Sequence, residues 1–299
     1  MAGITLLDGG LGQEIHRRSN APAHPLWSVK VMMDAPEIVV GAHRDFIEAG
    51  ADVICINSYA ATPSRLERDG DADEFDAAQR RALELAHQAV REAGASAQVA
   101  GCLPPLVASY RTEVSKPYEA SRDEYRRIVA SQREGVDLFI IETMSILAEA
   151  LAAIDAAKEQ AKPIYLSLTI SDDGESTLRS GEPLAEALDA VAARGVDGIL
   201  LNCSLPEAIT KAMPLLARTG VRFGAYANGF TSVEALAPGT TVDRLEARSD
   251  LGPDAYADHA FHWLDQGATI LGGCCEVSPA HIRKLHERLQ DAGVPRTGL

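Results

Sequence analysis

Short apolar segments alternate with amphipathic segments along almost the whole chain, and this alternation constrains the fold more than any other feature. The apolar segments are continuous rather than alternating apolar and polar, which is typical of strands buried on both faces of a parallel sheet. Eight such segments are predicted as strands: 5–8, 52–57, 98–102, 138–142, 164–168, 198–203, 222–226 and 269–273. Amphipathic segments after them are predicted as helices: 36–49, 74–93, 123–134, 147–160, 183–193, 206–218, 254–266 and 279–290.

Eight consecutive strand–helix pairs predict an α/β fold, a single (β/α)8 TIM barrel. An open doubly wound sheet would usually have fewer strands and a glycine-rich phosphate turn, and the sequence contains neither G-x-G-x-x-G nor a P-loop. Since no linker or low-complexity tract interrupts the pattern, we expect one domain over residues 1–299. The connection 228–253 is long for a barrel, which is typical of a functional loop or of one that covers an interface.

Charge and composition exclude several classes of partner. The net charge of −15 argues against nucleic acid or an anionic membrane, because both attract positive patches. We also expect no secretory leader and no membrane span, since the chain has no basic segment followed by an apolar core and no run of about 18 apolar residues. Five cysteines fit a reduced, cytoplasmic setting, in which cysteines are more often metal ligands or nucleophiles than disulfides.

Polar side chains follow several of the predicted strands at the point where each strand ends. Asp8, Asn57, Glu142, Asn202 and Tyr226 all occupy such positions. In a TIM barrel the carboxyl ends of the strands form one rim, and the chemistry of these barrels is located there. The sequence therefore predicts a functional site built from these residues.

Three cysteines occur at the same rim and suggest a metal centre. Cys203 ends the sixth strand and Cys274-Cys275 follow the eighth. One strand lies between the sixth and the eighth strand, so these two strands are about 10 Å apart. Sulfurs that point inward from both could reach one metal ion. Three protein ligands leave one tetrahedral position open, which is typical of a catalytic zinc site. Buried cysteine is also a common core residue, and that interpretation is preferred for the cysteines within strands two and three, Cys55 and Cys102.

Several motifs together resemble the homocysteine S-methyltransferase family, in the same order from about residue 5 to residue 290. The most specific is Gly272-Gly273-Cys274-Cys275 in combination with the earlier Asn202-Cys203-Ser204. The others are Asp8-Gly9-Gly10-Leu11-Gly12, Asn57-Ser58-Tyr59 and Ile141-Glu142-Thr143-Met144.

The resemblance implies a Zn2+-dependent barrel that transfers a methyl group to the thiol of homocysteine. By position, Cys203, Cys274 and Cys275 would hold the zinc ion. Asp8 and Glu142 would bind the amino group of the amino-acid substrate, since carboxylates are suited to an ammonium group. Two alternatives remain: Asp8 could simply order its turn, and Glu142 could be a structural ion-pair partner.

The resemblance also implies that backbone amides after Asp8, at Gly9 and Gly10, bind the substrate carboxylate, as exposed N–H groups do for anions. Asn57, Asn202 and Tyr226 are further candidates for substrate binding because of their places at the rim. The expected partners are therefore two small molecules, homocysteine and a methyl donor.

The length of the chain limits which methyl donors we expect. No cobalamin domain or additional folate barrel fits within 299 residues, so a small sulfonium such as S-methylmethionine is the first choice and betaine the second. Aromatic residues suit a cationic donor, and the candidates are Trp27, Tyr59, Tyr110 and Tyr226. For each of them a packing or loop role is the preferred interpretation. The chain departs from the family after strand three, where residues 101–107 replace a Gly-Pro-Tyr-Gly type loop. It departs again after Cys275, where Glu-Val-Ser-Pro replaces Arg-Thr-Thr-Pro.

Other functions fit the same motifs. One is a methyltransferase with a different thiol acceptor or onium donor. Another is a subunit that exchanges methyl groups with a separate corrinoid protein, and a third is a barrel that holds zinc only for stability. Product analysis with several donors separates the first from the main prediction, and turnover only on addition of a corrinoid protein would indicate the second.

Overall fold

The computed structural model describes residues 3–20 and 22–299, apart from the side chain of Asp243. Its strands form one parallel sheet in the order β1-β8-β7-β6-β5-β4-β3-β2. All eight lie within the predicted segments or extend them by at most two residues: β1 (Thr5–Leu6), β2 (Val53–Cys55), β3 (Gln98–Leu103), β4 (Leu138–Met144), β5 (Ile164–Leu168), β6 (Gly198–Asn202), β7 (Arg222–Tyr226) and β8 (Ile270–Leu271).

The sheet closes on itself between β1 and β2. Leu7 and Val53 form a parallel bridge there, and the Asp8 N–H donates to the carbonyl of Val53 at 3.0 Å. The Asp52 N–H donates to the carbonyl of Leu6 at 2.7 Å. The prediction of a single (β/α)8 barrel is confirmed.

Helices surround the barrel, and the described residues contain three that were not predicted: α1, α2 and α4. These three lie in the connections that follow β1 and β2 and so help to shape the rim. In chain order the helices are α1 (Leu11–Arg18), α2 (Trp27–Asp34), α3 (Pro36–Glu48), α4 (Pro63–Asp69), α5 (Phe75–Ala93), α6 (Tyr118–Gln132), α7 (Leu147–Lys158), α8 (Leu184–Ala192), α9 (Pro206–Ala217), α10 (Pro253–Asp265) and α11 (Pro279–Asp291). None of the helices in the described part of the chain is both long and apolar enough to cross a membrane.

The hydrophobic core has two layers, as expected for strands that are buried on both faces. The larger layer packs the outer face of the strands against the helices. The inner layer fills the barrel with side chains from or directly beside all eight strands: Leu7, Val53, Ala100, Leu138, Ile140, Tyr165, Leu200, Tyr226 and Ile270. The interior is thus packed, and space for a ligand is left at the rim.

A buried histidine on α3 is expected to make stability depend on pH. His43 is fully buried, neither ring nitrogen has a hydrogen-bond partner among the described residues, and burial lowers its pKa to about 4. The unfolded chain regains a pKa of about 6.5 and so binds a proton that the folded chain excludes. Stability should therefore fall as the pH drops, by about 2 kcal/mol between pH 7 and pH 5 from this residue.

Urea denaturation of wild type and His43→Leu at both pH values measures this contribution. Leucine has a similar size and no titrating group, so the variant should lose less stability on acidification than the wild type. An equal loss in both proteins would contradict the assignment.

Candidate functional site

A cavity opens at the carboxyl-terminal rim of the barrel. It brings together most of the residues that the sequence singled out from separate strands. The predicted residues that line it are Asp8, Gly9, Gly10, Asn57, Glu142, Cys203, Tyr226, Cys274 and Cys275. Of the predicted site residues, Asn202 does not line the cavity.

The three rim cysteines converge on one point of this cavity. Their sulfur atoms all lie within 4.8 Å of one another, and the Sγ atoms of Cys203 and Cys275 are 3.9 Å apart. Cys203 adopts a left-handed backbone conformation, with φ of 48°, directly after β6. The distances place the three sulfurs close enough to share a single ion.

The redox state of this cluster differs from the sequence-based expectation. Cys203 and Cys274 are joined by a disulfide, whereas Cys275 is free. The expectation that these cysteines are reduced is therefore wrong for this pair in this structure. The physical reason is proximity, because the ends of β6 and β8 bring the sulfurs of Cys203 and Cys274 close enough to bond to each other.

Once reduced, the cluster fits a zinc ion by the chemistry of its donors. Three thiolates within a few ångströms are a typical set for zinc, and they leave the fourth tetrahedral position open. Without a metal, burial raises the pKa of the Cys275 thiol to about 12, and Glu276 and Glu142 add to the effect. A nearby divalent cation favours the thiolate and would oppose that shift.

Glycines allow the loops after β1 and β8 to approach each other closely. A Cβ atom on Gly9 would lie 2.2 Å from the carbonyl oxygen of Val277. A Cβ on Gly10 would lie 2.6 Å from the carbonyl oxygen of Cys274. Larger residues at either position would therefore push the cysteine-bearing loop away from β1.

Asp8 and Glu142 place two carboxyl groups in the cavity wall, the first buried and the second half-buried. Burial, opposed by the N–H of Cys55 that donates at 2.9 Å, raises the pKa of Asp8 to about 8. Burial likewise raises the pKa of Glu142 to about 7, although the thiol of Cys102 donates to it at 3.0 Å. Among the described residues neither carboxyl group forms an ion pair. Such a pair is suited to binding an external cation.

Cys55 and Cys102 belong to this part of the cavity as well as to the strands. Both line it, and their sulfurs lie within 4.8 Å of each other and of a Glu142 oxygen. The sequence favoured a simple core role for both. The contact between Cys102 and Glu142 cannot be recognised from the spacing of the two residues along the chain.

The two predicted asparagines are held by protein groups. Asn57 accepts from the hydroxyl of Ser28 at 2.7 Å and donates to its carbonyl at 3.1 Å, which fixes the start of α2. Asn202 accepts from the Thr143 N–H at 2.9 Å and donates to the Thr143 hydroxyl at 2.8 Å. Its Nδ2 also lies 3.9 Å from the Sγ of Cys274. Asn202 thus connects the Glu142 strand to the cysteine cluster from behind the cavity wall.

Aromatic residues form the outer part of the cavity. Trp27 begins α2, and its buried indole N–H has no hydrogen-bond partner within the described structure. The hydroxyls of Tyr59 and Ser109 lie 2.7 Å apart. Arg65 covers one face of the Tyr59 ring at 5.2 Å. Trp27 and Tyr59 thus both line the cavity, and their role in donor binding stays a prediction.

Two long loops, residues 103–120 and residues 228–253, meet over the cavity. Leu236 and Leu245, from the connection 228–253, line its outer wall. Arg111, from the loop 103–120, donates to the carbonyl of Leu236 at 2.8 Å and to that of Glu234 at 3.1 Å. The loops therefore form a joint cover over the site.

Comparison with known proteins agrees with the motifs. The family model described as homocysteine S-methyltransferase matches residues 5–289. The chain is 32% identical to the homocysteine S-methyltransferase of Escherichia coli strain K12, over 95% of this chain and 95% of that protein.

Solved structures of the homocysteine methyltransferase MmuM from Escherichia coli show the same fold. The metallated form has a TM-score of 0.80 and 28% identity, covering 96% of each chain. The oxidized form has a TM-score of 0.78 and 27% identity, covering 95% of this chain and 96% of that one.

Proposed function

Since this chain belongs to the homocysteine S-methyltransferase family, we propose that it transfers a methyl group from a small sulfonium donor to the thiol of L-homocysteine, giving methionine. The acceptor sulfur forms a bond to the methyl carbon and loses its proton. The carbon–sulfonium bond breaks, and its electron pair stays on the donor sulfur. The observation that carries the proposal is the convergence of three cysteine sulfurs beside two unpaired carboxyl groups in one cavity.

We propose that zinc is held by Cys203, Cys274 and Cys275 after reduction of the disulfide. The chemistry that zinc supplies when bound is ionisation of the acceptor thiol at neutral pH. A free thiol with a pKa near 8.5 is only about 3% thiolate at pH 7, so full ionisation gives about 2 kcal/mol. Orientation of the two substrates has to provide most of the remaining acceleration, and it can supply about 7–11 kcal/mol.

The amino-acid acceptor is oriented by groups that lie beside the cysteines. Asp8 and Glu142 bind its ammonium group and become ionised as they do so. The Gly10 N–H already donates to the carbonyl of Val277 at 2.8 Å. The acceptor carboxylate is therefore assigned to the N–H of Gly9 and to the first turn of α1 after Leu11, whose own N–H donates to the carbonyl of Gly9 at 2.8 Å.

The donor occupies the outer part of the cavity, beneath the two covering loops. The ring of Trp27 suits the positive charge of a sulfonium or quaternary ammonium group. S-methylmethionine is the preferred donor and betaine the second choice.

Parallel assays of the reduced, zinc-loaded protein test this function. Homocysteine is supplied with S-methylmethionine, betaine or S-adenosylmethionine, and methionine is measured by mass spectrometry. Methionine should form fastest with S-methylmethionine, and deuterated methyl groups should appear in the product. Absence of methionine with every donor would contradict the proposal, and turnover restored by a corrinoid protein would favour the methyl-exchanging subunit instead.

Binding of the product methionine should depend on pH through the two carboxyl groups. Both have raised pKa values, about 8 for Asp8 and about 7 for Glu142, so each is protonated at pH 6 in the free protein. An ammonium ligand favours the ionised forms, and its affinity should therefore rise as the pH increases. We expect the dissociation constant of methionine to fall at least about tenfold from pH 6 to pH 8.

Isothermal titration calorimetry at pH 6 and pH 8 measures the dissociation constant of methionine. Repeating the titration in two buffers of different ionisation enthalpy counts the protons that are released on binding. Methionine has no thiol, so titration of the acceptor sulfur does not interfere. In Glu142→Gln the dissociation constant of methionine should change less between pH 6 and pH 8 than in the wild type. A dissociation constant that is independent of pH in the wild type would contradict the assigned ammonium site.

A further inference from the structure

Arg179 connects the cysteine cluster to the wall of the cavity. It lies in the loop between β5 and α8, and its side chain is 11% exposed. We propose that Arg179 is a positioning residue of the metal centre, because its guanidinium group fixes both the peptide of Cys203 and the ring of Tyr110. The inference rests on the proposed function only in taking Cys203 as a metal ligand.

The first contact is with the backbone of Cys203. Its carbonyl oxygen accepts from Nη2 of Arg179 at 3.2 Å and from the hydroxyl of Thr169 at 3.2 Å. Cys203 is in the left-handed region, where a residue with a side chain is strained by about 1–3 kcal/mol. Two donors on one carbonyl hold the peptide in this conformation, and the conformation sets the direction in which Sγ points.

The second contact is with the aromatic wall. The guanidinium carbon of Arg179 lies 5.0 Å from the centre of the Tyr110 ring. Tyr110 lines the cavity and is also left-handed, with φ of 64°. One arginine thus holds two strained residues, one that carries a cysteine sulfur and one from the loop 103–120.

The guanidinium group of Arg179 is itself held by two further side chains, Thr169 and Asp172. Its Nε donates to the hydroxyl of Thr169 at 3.0 Å, and its Nη2 donates to Asp172 at 2.9 Å. Asp172 in turn accepts from the N–H of Leu205 at 2.7 Å, just before α9 begins. The guanidinium group is therefore fixed in place, as expected of a group that orients another.

Groups that orient metal ligands typically change metal affinity by about 10- to 100-fold when they are replaced. We expect Arg179→Met to weaken zinc binding about tenfold, and Arg179→Lys to recover part of the loss through a single hydrogen bond. Thr169→Val should also weaken zinc binding. Because both residues act on one carbonyl, the double variant should lose less than the product of the two single effects.

Zinc affinity is measured by competition with a chelator on reduced protein, in the absence of homocysteine and donor. The cobalt(II)-substituted protein provides a second readout, since its visible absorption bands report the geometry around the metal. The matched control is Arg126→Met on α6, an exposed arginine that pairs with Asp123 and Glu159. This control should keep wild-type zinc affinity and a wild-type cobalt spectrum.

Turnover gives a third readout that separates positioning from folding. In Arg179→Met the KM of the donor should rise more than the KM of homocysteine, because Tyr110 borders the donor region while Asp8 and Glu142 are untouched. Zinc affinity within twofold of wild type, with an unchanged cobalt spectrum in Arg179→Met or Thr169→Val, would overturn the inference. Since zinc binding is measured without substrates, this result is distinguishable from failure of the proposed methyl transfer.

Discussion

Replacement of Cys275 by alanine is expected to remove bound zinc and methionine formation together. Cys275 is the free cysteine of the cluster and lies 3.9 Å from the sulfur of Cys203. With two sulfurs left, the site has too few ligands for tight zinc binding. We expect turnover to fall by about three powers of ten or more, the scale seen when a catalytic group is lost.

Zinc content by mass spectrometry and methionine formation are measured on the same reduced sample. Cys275→His is the matched control, since imidazole is also a zinc ligand. It should keep zinc while losing part of the activity, because one thiolate fewer surrounds the metal. Turnover of Cys275→Ala within tenfold of wild type would refute the assigned metal centre.

Replacement of Glu142 by glutamine is expected to weaken homocysteine binding far more than donor binding. Glu142 and Asp8 provide the buried negative charge for the ammonium group, and loss of one partner of a buried charge pair costs about 3–5 kcal/mol. The KM of homocysteine should thus rise by about two to three and a half powers of ten. The KM of the donor should change little.

Steady-state kinetics with each substrate varied in turn measures this split. Cys102→Ala is the matched control, because it removes only the thiol that donates to Glu142 at 3.0 Å and leaves the carboxylate. Its KM for homocysteine should change less than tenfold. Equal rises of both KM values in Glu142→Gln would indicate a structural role, one of the alternatives left open by the sequence.

The barrel itself could be predicted because its strands are buried on both faces, which makes each apolar segment continuous and easy to locate. The helices α1, α2 and α4 were missed for the opposite reason. Each has only seven or eight residues, which is too short for a helical periodicity to emerge. The error matters for the site, since α2 carries Trp27 into the cavity.

The cysteine cluster could be predicted because strand ends of a barrel converge on one rim. The environment of the cluster could not be predicted, because this environment depends on backbone conformations that no motif encodes. Cys203 and Tyr110 are left-handed without being glycine, and Arg179 reaches both from a loop that the sequence did not single out. The disulfide between Cys203 and Cys274 is a redox outcome of the same proximity, and spacing alone does not determine it.

X-ray absorption at the zinc edge tests the central claim most directly, because it counts the sulfur atoms around the metal. Reduced protein loaded with one zinc ion should show three sulfurs at about 2.3 Å and one lighter atom. Addition of homocysteine should replace the lighter atom with a fourth sulfur. Fewer than three sulfurs in the substrate-free protein, or no added sulfur with homocysteine, would contradict this account.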